Sequence, residues 1–275
     1  GVQNRWIGDE QSATGELDML LRKATSLQMM ADVPLGAFLS GGIDSSTIVA
    51  LMQSQSSSPV KTFSIGFSEA EFNEAIYAKK IALHLGTDHT ELYVSPKEAM
   101  DVIPKLPHLY DEPFSDSSQI PTFLVSELAK KHVTVSLSGD AGDELFCGYN
   151  RYHLSSLVWD RLQLLPVKFR KVLAKLIQGV SPTTWNSILK KTPMSSKFAN
   201  IGDKLHKGAD VMDARNLDEL YMYFISHWNN PSSIVLNSVE PPTILNGLRP
   251  DLKGLDDIEK MMVLDGLSYL TDDIL

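Results

Sequence analysis

Little in this chain of 275 residues points toward stapling, membranes or nucleic acid. It has one cysteine, Cys147, so no disulfide can form within the chain, and a thiolate metal site cannot be built from it unaided. A single cysteine also fits a reducing cytoplasm. No apolar run approaches the roughly 20 residues that cross a bilayer, and no secretory signal opens the chain. The net charge is −9 with no dense Lys/Arg block, which argues against nucleic acid or an anionic membrane as partner. Two common nucleotide signatures are missing as well. No Gly-x-Gly-x-x-Gly fingerprint occurs, and the one glycine-rich loop of interest has no lysine after it until Lys61, where a Walker loop needs one at once. Internal repeats and low-complexity tracts are absent. What remains, 43% apolar and 21% charged, is ordinary for a globular protein with a sizeable core, in one large or two small domains.

The most informative segment is Ser40-Gly41-Gly42-Ile43-Asp44-Ser45-Ser46. It lies between an apolar run, Val33–Leu39, and a helical stretch, Thr47–Gln53. Strand, glycine turn and helix in that order make an anion cradle. Glycines permit a sharp turn and close backbone approach, and the helix that follows aims unpaired N–H groups and its positive dipole end at a phosphate. The serines add hydroxyls, and Asp44 supplies a carboxylate suited to a hard cation. At usage of about 5–7% per residue type, the five positions Ser-Gly-Gly-x-Asp-Ser recur by chance in roughly one window per million. The segment reads as a nucleotide site.

Periodicity predicts an amphipathic helix over Leu17–Met30 and then alternating strands and helices. Strands are expected at Val33–Leu39, Val60–Phe67, His89–Val94 and Val133–Leu137. Helices are expected at Ser45–Gln53, Asn73–Leu85 (ended by Gly86), Lys97–Ile103 and Ile120–Lys130. Such alternation implies an α/β fold, a parallel sheet with helices on both faces, whose ligands bind beyond the C-terminal strand ends. Three loops qualify: Ser40–Ser46, Gly66–Glu71 and Ser138–Glu144. Residues 1–148 read as this nucleotide-binding core, and 149–275 as a mainly helical continuation. Helical patterns there cover Leu157–Gln178, which Pro166 should break or kink, Leu217–Trp228 and Asp256–Leu275.

The third loop, Ser138-Gly139-Asp140-Ala141-Gly142-Asp143-Glu144, carries three carboxylates that repel one another unless a cation or donor network sits among them. It reads as a divalent-cation loop facing Asp44. Other residues take plainer roles. His84 and His89 are expected at the surface or in caps, Met29, Met30, Met261 and Met262 in the core, and Cys147 as a packing residue. Asp111-Glu112-Pro113-Phe114 offers an acid/base pair as one reading and, as the favoured one, a loop stiffened by Pro113 that shapes an acceptor pocket.

The first loop resembles the PP-loop of ATP pyrophosphatases, which split ATP between its α and β phosphates. Together with Val33-Pro34-Leu35-Gly36, Thr62-Phe63-Ser64-Ile65-Gly66-Phe67, Leu85-Gly86-Thr87-x-His89, Asp111–Phe114 and Leu137–Tyr149, it resembles the synthetase domain of bacterial-type glutamine-dependent asparagine synthetases. The match runs in order from Val33 to Tyr152. The resemblance implies ATP and Mg²⁺, with Ser40, Gly41, Gly42, Asp44, Ser45 and Ser46 holding the β and γ phosphates, and Asp44 and Asp143 as metal ligands. Phe38 and Ile65 would flank the adenine through their backbone, and Ser138 and Gly139 would line the ribose and substrate side. Asp140 and Glu144 are the candidate catalytic carboxylates. Asp140 stands where asparagine synthetases usually carry glutamate, which opens the acceptor to question.

The implied reaction adenylates the β-carboxylate of aspartate, and ammonia then attacks to give asparagine. Alternatives are the same chemistry on another carboxylate, as in a β-lactam synthetase or a sugar-acid amidating enzyme, or a nucleotide-binding fragment without turnover. In the family, an N-terminal glutaminase domain with a leading cysteine supplies the ammonia. This sequence begins at Gly1 and stops at Leu275 without a helix cap, so the expectation is a longer protein that includes the glutaminase and basic residues further on. A homodimer is one arrangement to test.

Overall fold

Strand residues alternate between two faces of a sheet, and the apolar residues of this chain sort accordingly. In the computed structural model, which describes residues 4–67, 73–111, 116–190, 200–226, 228, 233–239, 241–245 and 247–274, Ala37 and Leu39 join a cluster with Val49, Met52, Val60, Ala78 and Ala82. Phe38, between them in sequence, packs instead with Phe63, Leu128, Ala129 and Val133. The first cluster belongs to helices on one face and the second to a helix on the other. Removing Phe63 from water contributes roughly 1.5–3 kcal/mol, since only 1% of it is exposed.

The elements in order are α1 (Glu10–Gln28), β1 (Leu35–Phe38), α2 (Ile43–Gln55), β2 (Lys61–Phe67), α3 (Ala75–Leu85), β3 (Asp88–Val94), α4 (Pro96–Met100), α5 (Gln119–Lys130) and β4 (Val135–Leu137). All strand pairs are parallel, in the order β3-β2-β1-β4. The expected parallel α/β architecture is therefore present, with α2 and α3 on one face and α5 on the other. Local chemistry sets the ends. Gly86 closes α3 in the left-handed region at φ 71°. Ser95 and Glu98 form a capping box around α4, which starts at Pro96. The first helix begins earlier than its apolar spacing implies, because Asp9 accepts from the Ser12 amide as its N-cap. Met30, expected in the core, is 75% exposed.

Next come α6 (Gly142–Phe146), α7 (Asn150–Leu162), α8 (Val167–Gln178), α9 (Pro182–Leu189), α10 (Ile201–Asp210), α11 (Leu217–Ile225) and α12 (Asp257–Leu267). The helical pattern over Leu157–Gln178 is two helices, because Pro166 stands at the N-cap of α8. The last helix stops at Leu267, and Leu270–Ile274 forms a π-helical turn. The chain divides into two compact units, Gly1–Asp143 with Leu270–Leu275, and Glu144–Tyr269. Tyr152, Tyr221, Met261 and Leu264 centre the second unit. No described helix is long and apolar enough to cross a membrane.

Candidate active site

From β1 the chain steps to β2 and β3 in one direction, then returns to lay β4 against the other side of β1. The order therefore reverses between β1 and β4. In open α/β sheets the crevice beyond the strand ends at such a reversal is the ligand site. The loops that leave β1 and β4 there are the two motif loops.

The first loop is held by its own hydroxyls. Ser40 Oγ lies 2.9 Å from Ser45 Oγ and accepts from the Gly42 amide at 3.2 Å. Ser45 Oγ also accepts from the Ser40 amide at 3.2 Å, and Ser46 Oγ donates to the Gly42 carbonyl. Gly41 adopts φ 88°, and a Cβ there would stand 2.8 Å from the Ala78 nitrogen, so α3 backs the turn directly. These contacts leave the first turn of α2, where Asp44 and Ser45 sit, to present its N–H groups at the strand end. An open cavity of about 420 Å³ runs between α2 and α3 beside Gly41 and Gly42, bounded by Ile43, Ile81 and Leu85.

The second loop touches the first. A Cβ on Gly139 would lie 2.6 Å from the Ser45 nitrogen, and one on Gly142 would lie 2.4 Å from Asp44 Cγ. Only glycine permits this approach, and it brings the Asp44 carboxylate against the backbone that leads into Asp143. Ala141 adopts φ 73°, which folds the loop back on itself. Ser138 Oγ donates to Asp140 Oδ2 at 2.6 Å. Among the described residues, no group of three or more His, Cys, Asp or Glu side chains is arranged to hold a metal ion. One or two carboxylates are a protein's usual share of a Mg²⁺ shell, which phosphates and water complete.

The structure thus gathers Ser40, Gly41, Gly42, Asp44, Ser45, Ser46, Ser138, Gly139 and the start of α6. The side chains of Phe38 and Ile65 are packed in the two clusters on the α5 side of the sheet. Glu144 is 3% exposed, and its Oε1 accepts from the Tyr149 hydroxyl at 2.7 Å. Burial first, and the Glu144 bond second, push the Tyr149 phenol well above its usual range, so it stays a donor. Tyr149 has no catalytic pattern around it in sequence. The Gly-Tyr pair after the acidic loop is its only signal.

His89 is neither a surface nor a capping residue. Its Nδ1 lies 2.9 Å from Thr62 Oγ1 and its Nε2 lies 3.2 Å from Ser64 Oγ, across the β2–β3 pair. Burial lowers its pKa. Cys147 packs beside the Tyr152 cluster as expected, and burial and Asp256 raise its thiol pKa. Residues 112–115 and 68–72 lie outside the described residues, so the Asp111–Phe114 motif and the Gly66–Glu71 loop are only partly within them.

The asparagine synthase family profile matches residues 16–275. Glutamine-hydrolyzing asparagine synthetase 1 of Bacillus subtilis is 40% identical over 69% of this chain and 30% of its own length. A Methanocaldococcus jannaschii protein provisionally named glutamine-hydrolyzing asparagine synthetase 2 is 44% identical over 62% of this chain and 33% of its own. Among solved structures, the NH3-dependent NAD synthetase of Campylobacter jejuni overlays with a TM-score of 0.34 at 14% identity, covering 52% of this chain and 62% of that one. The chain spans about a third of the length of the curated relatives it matches. With the profile covering nearly all of it, the chain belongs to the asparagine synthase family.

Proposed function

We propose that this chain is the ATP-dependent, amide-forming part of an asparagine synthetase-type ligase. The β-carboxylate of aspartate attacks the α-phosphate of ATP and pyrophosphate leaves. Ammonia, supplied by glutamine cleavage elsewhere in a longer protein, then displaces AMP to give asparagine. The observation that supports this most is the contact of the two loops at the β1/β4 reversal, where Gly142 lies against the Asp44 carboxylate. The N–H groups at the start of α2 face the phosphates, and their fixed partial charge meets the negative charge that develops on pyrophosphate. Asp44 and Asp143 are the residues that would hold Mg²⁺, which supplies charge neutralisation on the phosphates when bound. Ser138, whose hydroxyl donates to Asp140, lines the ribose and substrate side together with Gly139. No side-chain nucleophile is needed, and positioning accounts for most of the acceleration.

The test is AMP formation from Mg-ATP with L-aspartate and ammonium, against a blank without aspartate and against Asp44→Asn. Aspartate-dependent AMP that disappears in the variant is the expected result. AMP formed only with a different carboxylate would reassign the acceptor. No AMP with any acceptor, despite Mg-ATP binding, would reduce the chain to a nucleotide-binding module.

A further inference from the structure

The negative charge of this chain is unevenly spread. Residues 161–202 carry eight Lys and Arg and no Asp or Glu, although the net charge of the chain is −9. A net charge describes the field far from a molecule, and a segment of one sign dominates what comes close to it.

The longest described helix in this stretch is α8, and one side of it is committed to its own unit. Arg170 is buried and donates to the backbone carbonyls of Leu165 at 3.1 Å and Ala214 at 2.7 Å. Ala174, one turn on, is buried as well. Lys171 pairs with Asp213 at 3.0 Å and Gln178 donates to Asp210 at 2.8 Å, both from one flank of the helix, because seven residues make two turns. The other side is unlike a solvated helix face. Phe169, Val172 and Leu176 follow at i, i+3 and i+7, which makes one stripe, and each is more than half exposed. Lys168 and Lys175, again two turns apart and both exposed, run along one edge of that stripe.

This combination fits a bilayer surface. Apolar side chains enter the acyl boundary while lysine stems let the ammonium groups reach back to lipid phosphates, which is how interfacial helices divide their residues. The stripe is the convex flank of a helix. A fluid bilayer closes around such a shape, whereas a folded partner would need a matching groove. Anionic headgroups also complement a stretch that holds no acidic residue.

We propose that α8 docks this chain on an anionic lipid surface, with Phe169, Val172 and Leu176 inserted and Lys168 and Lys175 on the headgroups. The contact is peripheral, made by one helix of 12 residues lying in the interface. It is independent of the nucleotide site and of the reaction proposed there.

The test is co-sedimentation of the chain with vesicles of phosphatidylcholine alone, and of equal parts phosphatidylcholine and phosphatidylglycerol, at low and raised salt. Two variants separate the halves of the face. Phe169→Ser shortens the apolar stripe, and Lys168→Gln combined with Lys175→Gln removes both charges. All of these positions are exposed, so melting temperatures should stay within about 3 °C of the parent. The parent should bind the mixed vesicles about tenfold more tightly than pure phosphatidylcholine, and raised salt should shrink that margin. Each variant should weaken binding to the mixed vesicles about tenfold. No binding to the mixed vesicles, or binding unchanged in either variant, would overturn the proposal. Binding to polyglutamate and not to vesicles would also overturn it, with an acidic protein as the partner. Self-association abolished by Phe169→Ser, without vesicle binding, would overturn it by placing a second copy of the chain on this face.

Discussion

The two units bury their cores by different chemistry. In the first, aliphatic and phenylalanine side chains fill both faces of a parallel sheet, and the polar residues of interest stand on glycine loops at the strand ends. In the second, the centre of the core is itself polar: Asp265 and the hydroxyls of Tyr152 and Tyr221 sit fully buried or nearly so among Met261 and Leu264. An apolar core tolerates loss of a contact in proportion to the area lost. A core organised on one buried carboxylate fails when that group goes, because its partners are left uncompensated. The same difference separates where a mutation costs stability from where it costs binding.

Asp265→Ala should sharpen that contrast most. It strands the half-buried Arg151 and two buried phenols, and about 3–5 kcal/mol of stability should be lost, read as a shift of the urea midpoint. Gly41→Ala in the first unit should cost less, about 1–3 kcal/mol, because its φ of 88° and the Ala78 backbone at 2.8 Å leave no room for a Cβ. Its neighbour in the site behaves differently. Gly142→Ala meets first the end of the Asp44 side chain, which can turn away, so its urea midpoint should hardly move. Affinity for Mn²⁺ with α,β-methylene ATP should nevertheless fall about tenfold, since Asp44 loses its aim. An equal stability loss in Gly41→Ala and Asp265→Ala would erase the distinction between the two cores.

The smallest effect is a pH dependence confined to the first unit. Burial keeps His89 neutral in the fold, with its pKa below the ordinary value of 6.5. The unfolded chain therefore takes up that proton at higher pH than the folded one. The His89 contribution is fully present above pH 6.5 and is lost as pH falls below 6.5 toward the folded pKa. Comparing urea midpoints of the parent and His89→Gln between pH 7.5 and 5.5, values set about one unit either side of the free imidazole, should show the gap closing on the acid side. A parallel pair of curves would show that the Thr62–His89–Ser64 ladder does not penalise the charged ring.

How much of this was legible beforehand follows the same division. The β1 loop was readable because every requirement is local: an apolar strand, two glycines where the chain turns, and a helix start within seven residues. The α5 face and the β4 loop followed from the same repeated unit. His89 was misread because its partners, Thr62 and Ser64, lie on a neighbouring strand 27 and 25 residues away. Met30 was misread because helical spacing says which residues share a face, and not whether anything covers it.

The second unit was legible only as helices. Tyr152 and Asp265 are 113 residues apart, and no periodic pattern links them. The sequence by itself determined the strand–helix alternation, the two glycine loops and the residue types within them, because backbone conformation and periodicity act over a few neighbours at a time. Only the tertiary structure decided that the chain reverses between β1 and β4, that Gly142 lies on Asp44, and that Glu144 is tied through Tyr149 and Arg151 to Asp265. Those are contacts between segments far apart along the chain, chosen by which packing buries apolar surface while leaving few polar groups without a partner.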